Sequence, residues 1–288
     1  MPDATRNRTS ADHAIALMEE ATRANRADPF LSGFIVELPT EGEVLITGDL
    51  HGHRGNFQRI VEIADLPRYR QRHLVLQELV HDLATDSEVC RSYRLVETVA
   101  RLKAQFPSQV HVLLGNHEFS ELLRLEIGKQ GRELTVAFDD GGRAAYGDRW
   151  QEVKDGYRRF WETSPLAVRT QNRLFVSHST PRLEKIGDLS LDYLRHAAPS
   201  EMLERNGPVF SMLWGRDYRP QAAEEFARRV DADVLIVGHT SCEDGVLAPN
   251  ERHVVLDCKD FDGRYLLLPL DRPLTQQDVL TSARRLYQ

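Results

Sequence analysis

The chain has 288 residues, 41% of them hydrophobic and 28% charged, with a formal net charge of −7. That length and apolar fraction allow a sizeable buried core. The acidic balance argues against non-specific binding to nucleic acid or anionic lipid, which needs basic patches.

Residues 1–10 are polar, and the start of the chain lacks the apolar core of a secretory leader. No run approaches the roughly 20 apolar residues of a membrane span. The three cysteines, Cys90, Cys242 and Cys258, show no CxxC spacing, so the chain reads as a cytoplasmic protein with reduced thiols. Ala14, Leu17, Met18 and Ala21 recur at helical spacing and predict an N-terminal helix over 11–27. Short runs rich in Val, Ile and Leu then alternate with helical patterns. A strand over 43–47 runs into Gly48-Asp49-Leu50-His51-Gly52, and a helix over 56–64 follows. A strand over 73–79 carries Gln77-Glu78, and a helix over 92–105 follows. A strand over 110–114 ends in Gly115-Asn116-His117-Glu118, which opens a helix over 118–127. Residues 128–148 contain Asp139-Asp140-Gly141-Gly142 and no clear period, so they read as a surface loop. A helix over 150–163 precedes a strand over 173–177 that runs into His178. Helices over 189–196 and 222–230 come next. A strand over 234–237 runs into Gly238-His239, and strands over 253–256 and 265–269 precede a closing helix over 275–287. Such apolar strands suit burial on both faces, and the alternation with helices indicates α/β architecture. With no repeat and no linker composition, the chain reads as one domain over 1–288, the terminal helices 11–27 and 275–287 being extensions.

In open α/β sheets, ligands bind beyond the carboxyl ends of the strands. Asp49, His51, Glu78, Asn116, His117, His178 and His239 all lie at such ends. Taken singly, each has a plain structural reading. GDLHG fits a strand-to-helix turn, GNHE fits a helix N-terminus with an acid in its first turn, and Arg216 is able to pair with Asp217. Taken together, strand ends that repeatedly finish in carboxylate, imidazole and amide read as a dinuclear metal site. The mixed donors suit manganese, iron or zinc better than calcium, and the lack of cysteine ligands argues against a structural zinc. A shared carboxylate holding two cations about 3.5–4 Å apart is the arrangement used for phosphoryl hydrolysis.

The order GDLHG, GNHE, His178 and Gly238-His239 resembles the calcineurin-like metallophosphoesterase superfamily, with the phosphoprotein phosphatase and bacterial diadenosine tetraphosphatase-like enzymes as the nearest branches. Matching segments run from about Val44 to Asp257, and include 160–177 and Leu213-Trp214-Gly215-Arg216. The resemblance implies a two-sheet β-sandwich flanked by helices (α/β/β/α), and hydrolysis of phosphomonoesters by a hydroxide activated between two divalent cations, manganese first and iron or zinc as alternatives. It implies that Asp49 and His51 hold one metal and that Asn116, His178 and His239 hold the other. It further implies that His117 is the general acid and that Arg216 and Asn116 engage the phosphate. The substrate would be phosphorylated: a serine or threonine phosphoprotein, or else a dinucleoside polyphosphate. The second motif departs from the pattern. Where the family has GDxVDRG this chain reads Gln77-Glu78-Leu79-Val80-His81-Asp82. Glu78 takes the bridging position, His81 aligns with the aspartate that orients the catalytic histidine, and Asp82 aligns with the arginine. Asp82 is then a candidate for the orienting role and Arg54 for the lost arginine. The same departure leaves open a phospho-ligand binding module with weakened turnover.

Overall fold

A computed structural model describes residues 4–82, 89–129 and 132–287. In chain order its strands are β1 (Leu31–Ser32), β2 (Ile35–Leu38), β3 (Glu43–Asp49), β4 (Arg72–Gln77), β5 (Val110–Leu113), β6 (Gly128–Lys129), β7 (Arg132–Glu133), β8 (Ala167–Thr170), β9 (Leu174–Ser177), β10 (Val234–Val237), β11 (Val246–Leu247), β12 (His253–Leu256), β13 (Arg264–Pro269) and β14 (Ala283–Arg285). Its α-helices are α1 (Ala4–Arg26), α2 (Arg54–Ala64), α3 (Tyr93–Gln105), α4 (Asn116–Leu123), α5 (Leu134–Tyr146), α6 (Trp150–Glu162), α7 (Leu191–His196), α8 (Pro199–Met202), α9 (Pro208–Trp214), α10 (Pro220–Arg229) and α11 (Gln276–Thr281).

Two sheets carry the architecture. One runs β1-β2-β8-β9-β10-β12-β11 and the other β14-β13-β3-β4-β5, with β6-β7 as a separate hairpin. The chemistry-bearing strands are parallel neighbours: β3 with β4, β4 with β5, and β9 with β10. Side chains alternate across each strand, so β3, β4, β5, β9 and β10 each contribute to two apolar clusters. Val44, Ile46, Val75, Leu113, Val176, Ile236 and Leu256 face one another in the first. Leu45, Leu74, Leu76, Phe175 and Leu235 pack with the helices in the second. Burial on both faces explains why these strands read as continuous apolar runs rather than as alternating patterns. Helix α1 packs against α3, α5 and α6 through Ala11, Ala14, Met18 and Ala21, which are fully or almost fully buried. Among the described residues no helix is long and apolar enough to cross a membrane.

Seven expected strands occur within two residues of their expected limits. Two helices shift their limits: the N-terminal one begins at Ala4 rather than at 11, and the one expected over 118–127 is α4, which ends at Leu123. Two expectations fail outright. Residues 128–148 are not a loop, because the β6-β7 hairpin leads into the thirteen-residue helix α5. Its buried Leu134, Ala137, Phe138, Gly141 and Tyr146 do follow a helical period, but the glycines masked it. They are there for close approach. A Cβ on Gly141 would lie 1.8 Å from the Cys90 carbonyl oxygen, and one on Gly142 would lie 2.3 Å from the Trp150 ring. The closing helix is also shorter than 275–287. Thr275 and Asp278 form a reciprocal cap at its start. It ends at Thr281, and β14 then adds antiparallel to the edge of β13, pairing Ala283 with Leu266. That edge offers backbone hydrogen bonds that outcompete another helical turn.

Candidate metal centre

The carboxyl ends of β3, β4, β5, β9 and β10 meet at one rim. The chain there is held in conformations that side chains seldom adopt. His51, Glu78, His81 and His239 all have positive φ, from 41° to 63°, and such strain in non-glycine residues clusters at functional sites. The backbone N–H groups of Leu50 and His51 donate to Glu78 O, and Gly52 N–H donates to Leu79 O. These bonds lock the turn after β3 to the turn after β4.

Six expected residues converge there, all buried: Asp49, His51, Glu78, Asn116, His178 and His239. Asp49, His51 and Glu78 present ligand atoms within 4.8 Å of one another, and so do Glu78, His178 and His239. Glu78 belongs to both groups. Asn116 joins the second, since its Oδ1 lies 2.8 Å from His178 Nε2. Asp49 reaches across the sheets, where both its oxygens accept from His239 N–H at 3.0 and 2.9 Å. Gly238 permits this approach, because a Cβ there would lie 2.3 Å from Asp49 Oδ1.

The donor set fits divalent cations. At His178 Nε2, Glu78 Oε2 (2.7 Å), Asn116 Oδ1 (2.8 Å) and His239 Nδ1 (3.1 Å) all crowd one nitrogen. A single N–H cannot serve three acceptors, whereas a cation gathers four lone pairs. The buried Nε2 of His239 has no hydrogen-bond partner among the described residues. Burial pushes Asp49 up to about 7, with the neighbouring charge of Glu78 adding to the rise, and burial holds the His178 and His239 imidazoles well below their ordinary range. Imidazoles held uncharged in this way keep the lone pairs that a cation needs.

Supporting contacts aim the donors. Val80 O accepts from His51 Nδ1–H at 3.2 Å, which leaves His51 Nε2 as the lone-pair nitrogen. Gln77 Oε1 accepts from His178 Nδ1–H at 3.1 Å, and Gln77 Nε2–H donates to Thr47 O at 2.9 Å. Gln77 stands where the resemblance expects glycine, so the departure beside Glu78 gives His178 its orienting partner. Glu78 Oε1 accepts from His117 N–H at 2.8 Å. Glu118 Oε1 accepts from Leu79 N–H and Val80 N–H, and burial pushes this carboxyl up to about 7.

His117 lies in the first turn of α4 beside this group, its ring 4.8 Å from that of His51. His81, aligned with the orienting aspartate, places Nδ1 2.8 Å from His117 Nδ1. Arg216 is exposed at the rim and donates to His239 O at 3.2 Å. Asp217 pairs instead with Arg219. Arg54 lies exposed in the first turn of α2. Other polar residues have structural roles. His53 Nδ1 accepts from Asn56 N–H as the cap of α2. His73 and His111 are buried in the core. Asp257 pairs with Lys259 and accepts from Cys242 N–H, and burial beside Asp257 pushes the Cys242 thiol up to about 12. Local pattern gives Gln77, Glu118 and Glu121 no role at the metal centre, and the structure supplies one for each. Glu121 carried a usable signal, since it lies four residues after His117 on one helix and therefore shares its face.

A sequence profile described as calcineurin-like phosphoesterase matches residues 42–243. The chain is 25% identical over 234 residues to a probable serine/threonine-protein phosphatase of Encephalitozoon cuniculi, covering 73% of this chain and 45% of that protein. It is 22% identical over 187 residues to human serine/threonine-protein phosphatase 5, covering 65% of this chain and 33% of that protein. The match thus spans less than half the length of either relative. Among solved structures, a protein serine/threonine phosphatase from Saccharomyces cerevisiae superposes with a TM-score of 0.68 at 16% identity, over 90% of this chain and 82% of the other. A cold-active protein-tyrosine phosphatase of a Shewanella species gives 0.59 at 17% identity, over 87% and 82%. At those identities the likeness is one of fold.

Proposed function

The chain belongs to the calcineurin-like phosphoesterase family, and on that premise we propose that it is a phosphoric ester hydrolase that uses two divalent cations to cleave a phosphomonoester. The carrying observation is that Glu78 is common to both groups of donors. A carboxylate with two oxygens is able to bridge, and glutamate in place of the family's aspartate keeps both. Asp49 and His51 would hold one cation with Glu78, and Asn116, His178 and His239 the other. The mixed donors suit manganese, iron or zinc, and manganese is the first cation to test. The complete donor set favours turnover over a binding module.

When bound, the cations supply an acidified water as nucleophile at neutral pH and screen the phosphoryl charge. The chain's own residues do the rest. Arg216 has one N–H engaged with His239 O, and its other guanidinium donors form a planar fork that suits two phosphate oxygens. Asn116 assists from the start of α4. His117 donates a proton to the leaving alkoxide. A phosphorylated serine or threonine in a protein is the substrate class that both curated relatives' names support.

The test is phosphate release by manganese-loaded protein from a phosphoserine peptide, p-nitrophenyl phosphate and diadenosine tetraphosphate. Cleavage of the peptide is expected. Glu78→Ala should abolish it, and His117→Ala should lower it by about 10²–10⁴-fold. Nucleotide products from the third substrate alone would replace the protein substrate with a dinucleoside polyphosphate. A folded wild type that binds fewer than two cations and cleaves nothing would refute the hydrolase and leave a phospho-ligand binding module.

A further inference from the structure

The histidine that stands in the place of an orienting carboxylate has a carboxylate behind it. His81 Nε2 lies 2.8 Å from Glu121 Oε1, in a contact where the ring is fully buried and the carboxylate almost so. Glu121 Oε2 is 2.8 Å from Lys154 Nζ on α6, and that ammonium also lies 2.6 Å from Asp139 Oδ1 on α5. Trp150 Nε1–H donates to the same Asp139 oxygen at 2.9 Å. The His81 ring is braced by the edge of Phe138, also from α5, with ring centroids 5.8 Å apart. Its backbone N–H donates to Ser92 Oγ at 3.0 Å, and its φ of 63° turns the side chain inward. The contacts therefore run in one line: His117, His81, Glu121, Lys154, Asp139.

The proton positions along this line follow from the chemistry of its end. A carboxylate paired with an ammonium stays ionised and only accepts. His81 Nε2 must then carry the hydrogen it shares with Glu121. When His81 is uncharged its lone pair lies at Nδ1, 2.8 Å from His117 Nδ1, and the hydrogen between the two rings then belongs to His117. With Nδ1 protonated, His117 uses Nε2 for the proton it transfers. We infer that His81 and Glu121 act together as positioning residues, replacing one orienting carboxylate by an imidazole with a carboxylate one helical turn beyond the general acid it serves. The inference rests on the proposed role of His117. It accounts for the departure in the second motif, because a histidine spans the gap to Glu121 that an aspartate would leave. A cationic His81 would donate to His117 Nδ1 and reverse the tautomer, which makes the arrangement measurable.

The first arm of the test is nitrogen NMR of histidine-labelled, metal-free protein at mildly alkaline pH, with the His117 signals assigned by loss in His117→Gln. The expected result is the Nδ1–H tautomer for His117, converted to a mixture in Glu121→Gln. An Nε2–H tautomer in the wild type overturns the inference whatever the activity. The second arm compares an ester that needs a protonated leaving group, a phosphoserine peptide, with one that does not, p-nitrophenyl phosphate. His81→Phe should lower kcat on the peptide by about 10²-fold with KM moved by less than about threefold, and should affect p-nitrophenyl phosphate far less. His81→Asp, which restores a direct carboxylate, should recover most of the loss. Equal losses on both esters, or no recovery in His81→Asp, would show that the line only supports the fold. If the wild type cleaves neither ester, the proposed hydrolase fails, and the tautomer still decides the arrangement of the two rings.

Discussion

If Glu78 serves both halves of the centre, its loss should cost both cations at once, and thermal stability reports this without any substrate. A ligand that binds only the folded chain at 100 times its Kd stabilises it by about 2.7 kcal/mol per site, or about 5.4 kcal/mol for two. Unfolding entropy scales at about 2.1 cal/mol/K per residue, and the chain has 288 residues. At about 0.6 kcal/mol/K in total, each site should raise Tm by about 4–5 °C and the pair by about 9 °C. The assay is differential scanning calorimetry of metal-free protein titrated with manganese, alongside measured stoichiometry. Wild type should show two equivalents and the full shift. Glu78→Gln keeps the size of the side chain but loses its charge, and should show almost none of the shift. His51→Gln should lose about half, because His51 belongs to the first donor group alone. One tightly bound equivalent and a half-sized shift in Glu78→Gln would refute the bridging argument.

Removing Gln77 as Ala should leave His178 Nδ1 without its 3.1 Å acceptor and weaken manganese binding by about 10–100-fold, as supporting contacts of this kind usually do; isothermal titration would detect it, and unchanged affinity would deny Gln77 that role. Gly141→Ala drives a methyl into the Cys90 carbonyl and should destabilise α5 by about 3 kcal/mol in urea unfolding, whereas a loop would tolerate it. Burial alone would raise the Asp28 carboxyl, but the hydrogen bond and charge of His111 and the ammonium of Lys103 hold it at about 2 against an ordinary 3.8. A depressed acid contributes stability above its unfolded value and loses it as pH falls, so about 2.4 kcal/mol should disappear between about pH 4 and pH 2. In Asp28→Asn that acid dependence should vanish, and stability at neutral pH should drop by about 3–5 kcal/mol because Lys103 is left buried without its partner, as pH-dependent denaturation curves would reveal.

Local pattern was enough to read the strand ends. Asp49-Leu50-His51 and Asn116-His117 announce themselves because a turn after a buried strand compresses donors into a few residues, and His178 and His239 follow strands whose apolar runs are unmistakable. Covalent order thus determined which donors exist and at which strand ends they lie. Glu78 was legible only by its position between two recognisable motifs, since a Gln-Glu pair at a strand end otherwise looks like solvated surface.

Tertiary structure decided the partners. Gln77 meets His178 across 101 residues of chain and His81 meets Glu121 across 40, and no local period encodes such pairs, because a side chain's hydrogen-bond partner is set by where two elements approach. The same cause hid α5. Gly141 and Gly142 look like helix breakers until Cys90 and Trp150 are packed against them, leaving no room for a Cβ. That helix carries Phe138 and Asp139 to the buried line behind His117. The sequence by itself determined the chemistry of the donors and the α/β alternation that brings them to one rim, since both depend on residue type and short-range spacing. The aim of each ring, and which carboxylate it answers to, arise only when the chain is close-packed, because burial penalises a polar atom without a partner and only the fold determines which partner is in reach.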